Sequence, residues 1–236
     1  PAVKTLYLAG VKDTIDLAKS LGITTLDQPL SWYGLSLVLG GGEVKLLDLV
    51  SAYGVFANSG LKSPPISILK IADSEGNIVE EKRKTPQRIL EKNVANMINS
   101  VLSDNEAKMP IFGRNSILFI PGKKVATKTG TTQDFKDGWT IGYTPSMAVG
   151  VWVGNNNGEL MNKEPGVVLA GPIWNRFIQK ALAAYPNEKT FQEPDLIKKE
   201  EPLLREEVNL DPSSSQYQNW LIGRENFLAS STIGTK

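Results

Sequence analysis

The alternation of apolar and polar positions divides the chain into helical and extended stretches. Asp13 is placed to cap a short helix in which Ile15, Leu17, Ala18 and Leu21 share one side, and Gly22 stops it. Gly40 to Gly42 then break the chain before a dense run from Val44 to Ala57, apolar nearly all round and closed by Asn58 and Gly60. This predicts a buried helix whose side chains serve core packing. After Pro64 and Pro65, ISILKIADSEGNIVEEK offers two short β-rich runs around the turn signal Ser74-Glu75-Gly76-Asn77, which predicts a hairpin. Thr85 and Pro86 read as the cap and first position of a helix carrying Ile89, Leu90, Val94, Met97, Ile98, Val101 and Leu102. From Lys124 the pattern turns to strands. VATKTGTT, GWTIGYT and MAVGVWVGN predict an antiparallel meander, with Thr144-Pro145-Ser146 joining the last two. A final helix from Gly171-Pro172 carries Ile173, Trp174, Phe177, Ile178, Ala181 and Leu182 toward one sheet face and ends at Pro186.

Composition changes beyond that helix, through KKEEPLLREE and a Ser-rich stretch to Trp220 and Leu221 amid polar residues. Residues 1–186 are therefore expected to fold and 187–236 to form a weakly structured tail. At 236 residues and 41% apolar content, the chain can bury a real core. Twenty-six Lys and Arg against 25 Asp and Glu leave a net charge of +1, which gives no field suited to nucleic acid. Apolar runs fall short of the roughly 20 residues that span a bilayer, so any membrane anchor is expected outside this chain. There is no His and no Cys. Thiol nucleophiles, His-based triads and imidazole or thiolate metal sites are excluded, and a Ser or Thr nucleophile would need Lys, a carboxylate or a terminal amine as its base.

The candidate chemistry centres on Lys128-Thr129-Gly130-Thr131-Thr132. On a strand, Lys128 and Gly130 share one face and Thr129 and Thr131 the other. An exposed edge there could pair with an extended peptide, and Gly130 would let that peptide come close. Lys128 would favour ionised forms nearby, and a threonine hydroxyl could hold a carboxylate. From these residues alone, a solvated strand end is an equal reading.

KTGTT followed by DGWTIGYTPSMAVGVWVGNNN resembles the third motif and following strands of the transpeptidase domain of class A penicillin-binding proteins. LVLGGGEVKLLDLVSAYGVFANSG resembles an earlier segment of that family, and AGPIWNRFIQKAL its closing helix. The similarity runs from Pro1 to about residue 195. It implies an α+β fold, the penicilloyl-serine transferase (β-lactamase-like) fold, with an antiparallel sheet flanked by helices. It also implies that Lys128 acts as the third-motif lysine, that Lys128, Thr129, Gly130 and Thr131 bind substrate, and that the Thr131 N–H joins an oxyanion hole.

The family works with Ser-x-x-Lys, Ser-x-Asn and Lys-Thr/Ser-Gly. Ser67-Ile68-Leu69-Lys70 and Ser103-Asp104-Asn105 match the first two literally. Neither suits the chemistry. The family's serine opens a helix, where residues three apart share a face, whereas Ser67 and Lys70 fall in the expected hairpin and are expected to point apart. Ser103-Asp104-Asn105 reads as the turn ending a helix. PAVKTLYLAG resembles the stretch that directly follows the family's Ser-x-Asn, so the nucleophile helix and second motif are expected upstream of Pro1, with the fold incomplete at that end. The resemblance thus implies part of a serine D-Ala-D-Ala transpeptidase that cross-links peptidoglycan stem peptides and takes β-lactams, this chain being inactive alone. It implies no metal or organic cofactor. It further implies an upstream glycosyltransferase domain and a location at the extracytoplasmic face of the bacterial membrane. A non-catalytic module that binds cell-wall peptide or protein is the alternative.

Overall fold

The computed structural model describes residues 1–82, 85–132, 135–161, 164–185 and 189–195. The described residues fall into two compact units, one holding Pro1–Lys45 and the other within Leu46–Pro194.

In the first unit, α1 (Ala2–Ala9) and α2 (Val11–Leu21) meet at Gly10, whose φ of 85° lets the chain turn between them. Periodicity gave no sign of α1. Helix α2 begins two residues before Asp13, which lies in its first turn while Gly10 holds the cap position. Ile15 and Leu21 are buried as expected, but Leu17 is exposed. Gly22 ends the helix, its N–H donating to the Ala18 and Lys19 carbonyls. Two short 3-10 turns, Leu30–Trp32 and Leu35–Leu39, follow, with Tyr33 and Leu35 buried.

The second unit opens with the expected apolar helix, α3 (Leu46–Ala57), of which Ala52, Val55 and Ala57 are buried while Leu47 stays exposed. Then come β1 (Leu61–Lys62), β2 (Lys70–Ala72), β3 (Ile78–Glu81) and β4 (Gln87–Arg88). Strands β2 and β3 form the predicted hairpin, its turn held by Asp73, whose carboxylate accepts from the N–H of Glu75 and of Asn77.

The next helix, α4 (Lys92–Ser103), starts later than the sequence suggests. Thr85 does not cap it and Pro86 is not its first position, because Gln87–Arg88 pairs with β1. The Gly60 carbonyl accepts from the N–H of Ile89 and Leu90, and the Arg88 guanidinium donates to the Ser59 and Leu90 carbonyls, which holds this stretch outside the helix. Its buried face follows the predicted stripe only in part, with Leu102 half-buried against the Tyr143 cluster. Val94, Ile98 and Val101 are exposed, whereas Ala95, Asn96, Asn99 and Ser103 are buried. The reason is specific pairing. Asn99 donates from Nδ2 to the Phe56 carbonyl at 2.9 Å and accepts at Oδ1 from the Tyr143 hydroxyl at 2.8 Å, so its polar side must face inward.

Helix α5 (Asn105–Phe112) leads to the meander β5 (Ala126–Thr131), β6 (Asp137–Tyr143) and β7 (Ala148–Gly154), an antiparallel sheet in the order β5-β6-β7. One face carries Ala126, Lys128, Gly130, Ile141 and Tyr143, since these are register partners or lie two residues apart. Ala126 and Tyr143 pack there with Ala57 and Phe191. The opposite face receives α6 (Gly166–Leu169) and α7 (Gly171–Ala184). On α7, Trp174, Ile178 and Leu182 are buried against Leu118, Ile120 and Val125, while Ile173 and Phe177 of the predicted stripe are exposed. Gly142 permits this contact, because a Cβ there would lie only 2.7 Å from Trp174 Cε2.

Phe191 lies within the stretch assigned to the tail, yet it is buried edge-on to Tyr143, with ring centroids 5.7 Å apart. Beside it Lys124 bridges Glu193 at 2.8 Å. Packing therefore continues past the expected boundary to residues 191–193. Pro186 and residues 196–236 lie outside the described residues. Among the described residues, no helix is long and apolar enough to cross a membrane.

Candidate functional site

Among the described residues, strand β5 has no partner on one side and pairs only with β6. It begins buried and ends exposed: Ala126 and Thr127 are buried, Thr129 and Gly130 half-buried, Lys128 and Thr131 exposed. At its end the Thr132 N–H donates to the Asp137 carbonyl. By the alternation of an antiparallel ladder, the N–H groups of Gly130 and Lys128 then turn toward β6, and those of Thr129 and Thr131 turn toward the free edge. Four adjacent residues thus combine an ammonium, two hydroxyls and outward backbone donors along one edge.

The Lys128 ammonium donates to the Thr129 carbonyl at 2.6 Å, which draws the side chain along that edge. Partial burial of the amine lowers its pKa from the ordinary lysine value. The Thr131 hydroxyl oxygen accepts from the Gly166 N–H at 2.8 Å, leaving its own hydrogen available to an acceptor. Gly166 must be glycine here, because a Cβ would run into the Gly130 carbonyl. Sequence reading gave Gly166 no role, although the sheet could not receive α6 so closely without it.

Two further groups beside the strand escaped the sequence reading. Lys108 of α5 donates to the buried Thr127 hydroxyl at 2.7 Å. Burial pulls its pKa down to about 8, opposed by the Asp104 carboxylate. Asp137, the first residue of β6, gathers three side-chain donors at the end of β5: the Thr132 hydroxyl at 2.6 Å, Trp139 Nε1 at 3.2 Å and Trp152 Nε1 at 3.1 Å. The spacing of Asp137 and Trp139 on one strand face was a legible signal for this cluster.

The literal matches to the other two motifs do not join the strand in a catalytic group. Ser67 sits in a bend before β2 and Lys70 opens that strand, so two-residue alternation does not govern the pair as expected. Both instead line an open cleft of about 400 Å³ with Glu80 and Lys82. Among the described residues no hydrogen bond joins Ser67 to Lys70, and neither lies on a helix. Ser103 ends α4 with its hydroxyl on the Ser100 carbonyl at 3.4 Å, and Asp104 caps α5 by accepting from the Ala107 N–H at 2.9 Å. Only Ser103 has the helix-ending role expected of the tripeptide, because Asp104 and Asn105 instead start the next helix.

Residues 11–179 match the penicillin-binding protein transpeptidase domain. Penicillin-binding protein 1A of Aquifex aeolicus is 35% identical over 201 residues, covering 83% of this chain and 26% of that protein. Penicillin-binding protein 2D of Bacillus subtilis is 30% identical over 201 residues, covering 82% of this chain and 28% of its own length. The chain thus spans about a quarter of these relatives. Among solved structures, the PonA1 protein of Mycobacterium tuberculosis in complex with penicillin V superposes with a TM-score of 0.67 at 27% identity, over 79% of this chain and 54% of that one. Penicillin-binding protein 1A of Haemophilus influenzae shares the fold with a TM-score of 0.67 at 21% identity, over 82% of this chain and 34% of that one. Helices flanking an antiparallel sheet are therefore the penicilloyl-serine transferase arrangement, and the chain belongs to the penicillin-binding protein transpeptidase family.

Proposed function

We propose that this chain forms one wall of the active site of a serine D-Ala-D-Ala transpeptidase that cross-links peptidoglycan stem peptides and is acylated by β-lactams. The observation that carries the reading is β5 itself, a free strand edge bearing Lys128, Thr129, Gly130 and Thr131 in a family whose members include a penicillin V complex. An extended D-Ala-D-Ala peptide or a β-lactam adds along that edge as a further strand, with Gly130 allowing close approach. Lys128 supplies positive charge, and the Thr129 and Thr131 hydroxyls hold the ligand carboxylate. The outward Thr131 N–H stabilises the oxyanion that forms when a serine attacks the penultimate D-Ala carbonyl. D-Ala leaves, and the acyl group passes to an amine of a second stem peptide.

The serine and its lysine lie outside these residues on this reading. Among the described residues, neither Ser67 nor Ser103 has a lysine hydrogen-bonded to it as base. Residues 1–186 then supply the C-terminal part of the transpeptidase domain, with Phe191 extending its packing. The likeness to class A proteins favours an upstream glycosyltransferase domain and anchor, and thus the extracytoplasmic face of the bacterial membrane. Fluorescent penicillin tests this directly. The 236-residue chain is expected to form no denaturation-stable adduct, whereas the longer protein carrying the upstream helix is expected to label. An adduct on Ser67 would overturn the placement of the site, and measurable D-Ala-D-Ala peptide binding without labelling of either protein would favour a non-catalytic binding module.

A further inference from the structure

The last backbone rung between β5 and β6 is long, since the Thr132 N–H reaches the Asp137 carbonyl at 3.3 Å. Side chains take over where the backbone ladder weakens. The Thr132 hydroxyl donates to Asp137 Oδ1 at 2.6 Å, and the Asp137 N–H donates back to the same hydroxyl oxygen at 3.1 Å. A short hydrogen bond to an ionised oxygen is among the stronger kinds. Asp137 is in turn oriented from its own sheet face. Trp139 Nε1 donates to Oδ1 and Trp152 Nε1 to Oδ2, so both carboxylate oxygens are engaged and the side chain cannot rotate freely. The two indoles pack edge-on with centroids 6.4 Å apart, and Trp139 is the register partner of both Gly130 and Trp152.

We propose that Asp137 is a positioning residue for the free edge of β5, acting through Thr132, and that this clamp fixes the direction of the Thr131 N–H. The idea rests on the functional reading of that edge. A strand end without such a clamp frays, and fraying by one peptide unit would rotate the outward donor away from a developing oxyanion, where placement to within about 0.5 Å matters. From the other face, the Gly166 N–H fixes the Thr131 hydroxyl, so the side chain and backbone of one residue are held by different neighbours.

Residue-resolved hydrogen exchange on the 236-residue chain tests the clamp. Thr132→Val keeps the shape of the side chain and removes the hydroxyl. Exchange at the Gly130 and Thr132 amides is expected to quicken at least ~10-fold, a local-opening change of about 1.4 kcal/mol, with Ile141 and Tyr143 unchanged within about two-fold. Thr132→Ser is expected to restore slow exchange, and Asp137→Asn to have an effect between the two. Uniform acceleration across β5 and β6, no acceleration, or failure of serine to rescue would each overturn the proposal. In the longer protein that carries the nucleophile, Thr132→Val is expected to slow covalent capture at saturating penicillin by about 10-fold, again rescued by serine. Equal capture rates would show that the clamp does not act on the reaction. A wild-type protein that captures no penicillin would count against the transpeptidase reading alone, with the exchange result still deciding the clamp.

Discussion

Removing one hydroxyl, Tyr143→Phe, is expected to cost this fold more than its size suggests. Tyr143 is fully buried and its hydroxyl donates to Asn99 Oδ1, itself on a residue only 1% exposed. Phenylalanine fills the same space, so little packing is lost. What changes is that Asn99 Oδ1 becomes a buried acceptor without a donor, at a cost of about 1–3 kcal/mol. Asn99 cannot turn away easily, since its Nδ2 donates to the Phe56 carbonyl at the end of α3. Asn99→Leu is expected to cost a similar amount, because the Tyr143 hydroxyl is orphaned instead. The Phe56 carbonyl keeps the Ser59 N–H in that variant. In the double variant neither group is present to be orphaned, so its loss should fall short of the summed single losses by about 1–2 kcal/mol. Urea unfolding of the four proteins, at unchanged m, measures this cycle. A Tyr143→Phe loss below about 0.5 kcal/mol, or additivity within about 0.5 kcal/mol, would refute the claim that this pair decides which face of α4 is buried.

Two other outcomes follow from packing and charge. Gly142→Ala places a methyl against the buried Trp174 indole, within 2.7 Å of Cε2, and is expected to destabilise by about 1–3 kcal/mol or more through overpacking, read as a lowered urea midpoint. Lys108 binds its proton less tightly in the folded state, about 8 against 10.5, so the unfolded chain holds more protons between those values. Stability should therefore rise with pH from about 8 toward 10, on the order of 1–2 kcal/mol, a rise that Lys108→Met should reduce, the amine of Lys128, also depressed by burial, supplying what is left. Above pH 10 the trend should reverse, because burial raises the Tyr53 and Tyr143 phenols and only the unfolded chain ionises them there. A urea series at several pH values checks both directions.

What could be read without coordinates was whatever depends on near neighbours in the chain. The β2–β3 turn at Ser74 to Asn77, the meander from Ala126 to Gly154 and the stop of α2 at Gly22 all rest on contacts a few residues apart, and all appear where the pattern put them. Where the pattern misled, a distant partner had intervened. Gly60 held residues 89 and 90 out of the helix that Thr85 and Pro86 announced, and Asn99 left Val94, Ile98 and Val101 of α4 outward by bonding to Phe56 and Tyr143. Periodicity registers apolar side chains, so it is blind to a face buried through an amide.

The same division holds at the site. The order of residues alone determined that Lys128 and Gly130 share a face, that Thr129 and Thr131 share the other, and that no His or Cys chemistry is available. Only the tertiary structure decided that β5 is an edge strand, that Gly166 braces Thr131, that Lys108 reaches Thr127, and that Asp137 ties Thr132 to two tryptophans. Alternation along a strand is a property of covalent geometry and travels with the sequence. Which edge stays free, and which groups from 19 to 35 residues away come to hold it, depends on how the helices close over the sheet.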